Sequence, residues 1–132
     1  MAEGLYKVLT KNEWSNAQKS GLIEVEIDQK DGFIHLSTAR QLPGTLSLYF
    51  ANSKSLFLLK LDLSQSAEGL VYEAPSAGSG RGGLFPHWYA PLGIDQIVKV
   101  WEIRRGAFML PEEVILEAEK YLLPDADRAR HE

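Results

Sequence analysis

Cysteine is missing from all 132 residues. That excludes disulfides, thiolate metal sites and a cysteine nucleophile. No apolar run approaches the ~20 residues that a membrane-spanning helix needs. The opening Met1-Ala2-Glu3-Gly4 has no basic stretch and no long apolar stretch, so no secretory leader is expected. An excess of basic charge is also lacking. Lys and Arg number 14 against 18 Asp and Glu, a net charge of −4. Nucleic-acid binders need clustered cations for phosphate contacts, so a nucleic-acid partner is not expected. Nor is there an internal repeat or a low-complexity tract. With 45% hydrophobic and 24% charged residues, the composition is that of a folded globular chain. These readings together describe one soluble, cytoplasmic domain of bacterial type. Its core is expected over residues 5–122, with a polar tail at 123–132.

What is present alternates between helical and strand periods. Leu5 to Leu9 reads as a strand. Thr10-Lys11-Asn12-Glu13 has capping-box spacing, which predicts a helix over Lys11 to Ser20 with Gly21 as its left-handed stop. Ile23, Val25 and Ile27 alternate with Glu24 and Glu26, a strand pattern, and Asp28 to Gly32 reads as a turn. Phe33 to Ser37 reads as a strand with Ile34 and Leu36 facing the core. Phe33, His35 and Ser37 share its other face. Ser37 or Thr38 can cap a helix running to Phe50, with a kink or a restart at Pro43. Leu56 to Leu61 suits a central strand covered on both faces. Leu70 to Glu73 and Ile97 to Ile103 are further strands. Ala74 to Gly83 is a glycine-rich loop, and a last helix is expected from Pro111 to Leu122. Helices and strands mix without a regular βαβ rhythm, which predicts an α+β domain.

Chemistry gathers at two histidines. His35 sits beside Phe33 and Ser37, and His87 follows the glycine loop within Phe85-Pro86-His87-Trp88-Tyr89-Ala90-Pro91-Leu92. Imidazole is the usual general acid or base near neutral pH, although a histidine without a task is common at any one position. Glu73 or Asp31 could join the histidines around a metal, but no short-range ligand motif supports it, and no metal is expected. Gly78, Gly80, Gly82 and Gly83 could cradle phosphate but match no phosphate-loop pattern. Arg81 at the loop tip is an anion contact or a solvated cation. Phe85, Trp88 and Tyr89 either stack on a ring ligand or pack in the core.

Several of these segments together resemble a mostly bacterial family of domains of unknown function. They are Leu5-Tyr6-Lys7-Val8-Leu9, the helix with Trp14, Asp31-Gly32-Phe33-Ile34-His35-Leu36-Ser37-Thr38, and Phe85-Pro86-His87-x-Tyr89-x-Pro91-Leu92. The resemblance spans about Leu5 to Pro111. That family is similar in fold to the ADP-ribosyltransferases, and among them to the NAD-using tRNA 2′-phosphotransferases. The resemblance implies a split, twisted sheet with flanking helices. Lys7 stands where a His or Arg holds the NAD ribose, and lysine lacks the planar fork of arginine. His35 stands where a tyrosine stacks on nicotinamide. The family's third motif is a glutamate, or its replacement, after a mobile loop; no glutamate stands in that place here, and His87 is the nearest candidate.

The resulting expectation is a cleft between the strands of Lys7 and His35, floored by Phe33, with His87 beside the glycine loop. His35 and His87 are the catalytic candidates. Lys7, Phe33, His35, Ser37, Thr38, Arg81 and Tyr89 are the candidate contacts to NAD or another nucleotide-like small molecule. The implied activity is NAD binding or ADP-ribosyl transfer. The alternative is a non-enzymatic metabolite-binding domain of the same fold. RNA 2′-phosphate processing is a third reading that the acidic balance opposes.

Overall fold

The computed structural model describes residues 4–63, 68–75, 81, 83–104, 111, 113–114 and 116–118. It is an α+β arrangement of two antiparallel three-stranded sheets with helices packed around them. The first sheet has the order β1 (Leu5–Thr10), β3 (Ser55–Leu61), β6 (Ile97–Arg104). The second has the order β2 (Ile34–His35), β5 (Phe85–Trp88), β4 (Leu70–Glu73). Gly78, Gly80 and Gly82 of the glycine loop, most of the expected last helix and the whole polar tail lie outside the described residues. Residues 113–114 and 116–118 are helical. Among the described residues no helix is long and apolar enough to cross a membrane.

The leucine-rich β3 is central because both of its faces are covered. Leu59 and Leu61 join Leu5 and Leu9 in one cluster, while Leu56 and Leu58 join Tyr6 and Val8 in another. Alternate side chains of a strand point to opposite faces, so a run that is apolar throughout supplies two cores at once. Each fully buried leucine contributes about 1.5–3 kcal/mol. Lys7 shares the face of Leu5 and Leu9, and it too is buried.

Helix α1 (Lys11–Ser20) forms as the capping box predicts. The Thr10 N–H donates to Glu13 Oε1 at 2.8 Å, the Glu13 N–H donates to Thr10 Oγ1 at 3.2 Å, and Gly21 stops the helix at φ 84°. The expected strand Ile23–Ile27 is not one. Ile23 and Val25 are buried and extended, but Glu26–Asp31 winds into a short helix, α2, and Ile27 is half exposed. The expected turn at Asp28 to Gly32 is therefore also corrected, since most of it is helical. Gly32, at φ 84°, ends α2 and turns the chain into β2.

The Pro43 expectation is met as a restart. A 3-10 turn at Ala39–Gln41 gives way to α3 (Leu42–Tyr49), which carries Pro43 in its first turn. β5 is a strand where the sequence reading assigned no element. The two sheets touch where Tyr6 and Ser37 exchange backbone hydrogen bonds of 2.8 and 2.9 Å. That junction sets Lys7 of β1 beside His35 of β2.

Candidate functional site

The functional side chains come from β1, α2, β2, α3, β4 and β5. In the second sheet His35 and His87 are directly opposite across the antiparallel ladder. Residues facing one another across a pair point to the same side. Their rings lie 5.6 Å apart, edge toward face. Phe33 stacks on His87 at 4.0 Å and lies 4.6 Å from His35 and 5.3 Å from Tyr89. An aromatic shelf therefore backs both imidazoles.

Each histidine has its own carboxylate. Asp28 sits on α2 and Asp31 lies one turn on. Helical spacing puts residues three apart on one face. Asp28 Oδ1 lies 2.7 Å from His35 Nδ1 and also accepts the His35 backbone N–H at 3.1 Å. Asp31 Oδ2 lies 3.0 Å from His35 Nε2. Both ring nitrogens donate to these carboxylates only when the ring carries two protons.

Lys7 completes this group. Its Nζ lies 2.7 Å from Asp28 Oδ2 and donates to the His35 carbonyl at 2.9 Å. Asp28 Oδ2 has no aligned hydrogen bond, so the ion pair is what serves it. Burial pulls the Lys7 ammonium below its ordinary value, and the Asp28 charge only partly offsets this. Burial pushes the Asp28 carboxyl up, but the His35 hydrogen bond and the Lys7 charge outweigh it and hold the group below the usual range.

His87 is arranged differently. Its Nδ1 lies 2.7 Å from Glu73 Oε1, and the Tyr89 hydroxyl donates to the same oxygen at 2.6 Å. These two bonds, Tyr89 first, hold the Glu73 carboxyl below its ordinary value, while Glu73 raises the Tyr89 phenol. An ionised Glu73 takes the proton on Nδ1, which leaves Nε2 as the acceptor of a neutral ring. Among the described residues Nε2 has no hydrogen-bond partner.

A cleft of about 760 Å³ runs over these groups, within the usual range for small-molecule sites. Lys7, His35, Ser37, Arg81 and His87 all line it, with Asp31, Thr45, Tyr49 and Phe50 among the other walls. The structure thus brings the two histidines and Lys7 around one hollow, but Phe33, expected as its floor, is not among the lining residues and stacks on His87 instead. Lys7 reaches it as a buried wall whose ammonium is already engaged. Thr38 is placed elsewhere in function: it is buried, its N–H donates to Gln41 Oε1 at 3.0 Å, and it opens the 3-10 turn. Tyr89 is half exposed and reaches the site through Glu73. Of the aromatic segment, Phe85 and Trp88 are core residues. Among the described residues no group of three or more His, Asp or Glu side chains is set to hold a metal ion.

Two partners were not assigned these roles from sequence. Asp28 was hidden by the turn reading of its segment; read as a helix, Glu26–Asp31 would have put two acids on one face. Glu73 appeared only as a metal-ligand option, because its pairing with His87 depends on the β4–β5 register.

No curated protein matches the chain. Structures of the Caulobacter crescentus protein CC0527 do. The crystal structure is 35% identical over 75% of this chain and 84% of that one, with a TM-score of 0.66. The solution structure is 34% identical over 76% of this chain and 84% of that one, with a TM-score of 0.65. The family model that matches, over residues 8–100, is described as protein of unknown function, DUF952. The chain belongs to that family.

Proposed function

We propose that this protein is an enzyme that takes a nucleotide-like substrate, NAD as the first candidate, into the cleft and uses His87 as its general base. The observation that carries the reading is the Glu73–His87 pair at 2.7 Å with Nε2 unpartnered among the described residues. A carboxylate on one ring nitrogen fixes the tautomer and stabilises the cation formed when the other nitrogen takes a proton. The paired imidazoles, backed by Phe33, suit a flat ring such as nicotinamide. The two-sheet arrangement, with Lys7 and His35 at the junction, is compatible with the split sheet of the ADP-ribosyltransferases.

In this reading an acceptor hydroxyl gives its proton to His87 Nε2. Its oxygen bonds to the ribose carbon while the N-glycosidic bond breaks, and the bonding pair leaves with nicotinamide. Lys7 acts by holding Asp28 and the His35 carbonyl in place, rather than by touching the ribose. Release of nicotinamide from NAD tests the proposal. Turnover in the wild type that falls about 10²–10⁴-fold in His87→Ala supports a general base. Absence of release, together with no binding at millimolar NAD, refutes it.

One observation favours a second reading. Lys7 and His35 are tied to Asp28 and Asp31 rather than held ready for a ligand. A non-enzymatic domain binding a small metabolite would need no more than the cleft and its shelf. Ligand-induced stabilisation without turnover, unchanged by His87→Ala, would select it.

A further inference from the structure

The cleft has a second polar end, made by β2, α3 and the segment before β5. Ser37 Oγ lies 2.9 Å from Thr45 Oγ1, and Arg81 donates to Thr45 Oγ1 at 3.0 Å and to the Gln41 carbonyl at 3.0 Å. All three of Ser37, Thr45 and Arg81 line the cleft, and Ser37 is only 6% exposed. The guanidinium also rests over the Phe85 ring at 4.3 Å.

A hydrogen count shows what this end lacks. Two hydroxyls carry two hydrogens. The bond between them uses one, and Arg81 brings its own donor to Thr45. Neither hydroxyl has another partner among the described residues. One hydroxyl hydrogen is therefore left without an acceptor among the described residues, in a shielded corner where the Arg81 guanidinium also donates. Such a corner calls for an oxygen with lone pairs and negative charge.

We infer that Ser37, Thr45 and Arg81 form an oxyanion subsite that takes a phosphate group of the substrate. Ser37 follows His35 by two residues on the same strand face, so the subsite lies roughly 7 Å along from the imidazoles. The two ends then sort a ligand into a ring beside the histidines and a phosphate against Arg81. The inference shares with the proposed function the premise of a nucleotide-like ligand, but it does not depend on transfer chemistry.

Gly44 supplies a perturbation that removes no hydrogen-bonding group. A β-carbon there would come within 2.9 Å of Arg81 Nη2, so Gly44→Ala displaces the guanidinium while favouring the helix. The test titrates inorganic phosphate, AMP and adenosine into the wild type, Arg81→Gln, Thr45→Val and Gly44→Ala, with thermal melts to confirm folding. AMP is expected to bind about tenfold or more tightly than adenosine in the wild type, and phosphate is expected to displace AMP. That preference is expected to shrink toward unity in Arg81→Gln and Gly44→Ala.

Equal affinity for AMP and adenosine in the wild type overturns the inference. So does a preference that survives both substitutions, phosphate that leaves AMP in place, or no binding of any of the three at millimolar concentration. Absence of the preference in the wild type with nicotinamide release intact removes the subsite alone. An intact preference without release removes the transfer reading alone.

Discussion

Asp28→Asn is the substitution that most directly tests how the site is held. Asp28 is 4% exposed and serves three donors: Lys7 Nζ at 2.7 Å, His35 Nδ1 at 2.7 Å and the His35 N–H at 3.1 Å. Asparagine keeps the volume and one acceptor but removes the charge. The Lys7 ammonium, itself 6% exposed, is then left with one backbone carbonyl. Breaking a buried pair from one side costs about 3–5 kcal/mol, and the retained acceptor places this case near the lower figure. Against a typical total of about 5–15 kcal/mol, that is a large share. With a urea slope of about 1–3 kcal/mol/M, the midpoint should fall by about 1–3 M with the slope unchanged.

The double variant Lys7→Met/Asp28→Asn removes both charges and should recover at least half of the loss. The pH dependence has a definite sign at both ends. The Asp28 carboxyl is held below its ordinary 3.8 in the fold, so its contribution is complete above that value and is lost as pH falls through the lower folded value. The gap between wild type and Asp28→Asn should therefore close in acid. Lys7 is depressed by burial, and Asp28 is the group that draws it back up. The substituted protein should then regain stability as pH rises toward 10.5, the ordinary lysine value. An Asp28→Asn variant within about 1 kcal/mol of wild type, well below the range for a severed buried pair, would refute this account. A double variant costing the full sum of its parts would do the same.

Tyr6→Phe should cost about 1.5–3 kcal/mol in urea unfolding, because the fully buried hydroxyl donates to Glu117 Oε1 at 2.6 Å. Burial first, and then Glu117, raise the Tyr6 phenol above its ordinary 10.0, so the wild type should lose stability as pH climbs past that value and Tyr6→Phe should not. Glu73→Gln should leave the thermal midpoint nearly unchanged, because Glu73 is a surface-reaching carboxylate. It should lower nicotinamide release by about tenfold or more and shift its pH profile, since His87 loses its anionic partner; an unaltered profile would show that Glu73 does not position the base. Gly32→Ala should cost about 1–2 kcal/mol, read by the same urea unfolding, because its φ of 84° is needed to end α2 and aim the chain into β2.

The parts of the fold that were legible are those set by local chemistry. The Thr10–Glu13 box and Gly21 announce α1, and the leucine run announces a strand covered on both sides. Two segments were misread for opposite reasons. Ile23, Val25 and Ile27 alternate like a strand, but among the described residues no strand pairs with Glu26 or Ile27. The six-residue α2 has no side-chain cap, and a helix that short is not stable by propensity. It is held by what it carries, above all Asp28 beneath Lys7 and His35. β5 was missed because Pro86 lies inside it, and proline is normally kept out of central strands. In an antiparallel strand the N–H and C=O of one residue point to the same side. The Pro86 carbonyl accepts from Leu36 at 3.0 Å, so its missing N–H also faces that side. The bond it forfeits is the return bond to the Leu36 carbonyl, and β2 ends at His35.

The same division explains what could be read of the site. His35, His87 and Lys7 are visible as residue types, and the strand alternation that puts Phe33 with His35 is visible too. Their partners are not, because each pairing depends on register between distant segments. His35 meets His87 only through the β2–β5 ladder, and Glu73 meets His87 only through the β4–β5 ladder. The difference between the two histidines follows from those partners. His35 has carboxylates on both ring nitrogens and a buried lysine against its carbonyl, an arrangement that fixes a position. His87 has one nitrogen held by Glu73 and the other left without a protein partner among the described residues, an arrangement that can move a proton. A sequence with two similar imidazoles thus becomes a site with unlike roles only when α2 and β4 deliver their acids, which is why the assignment of His87 as the base rests on geometry and not on composition.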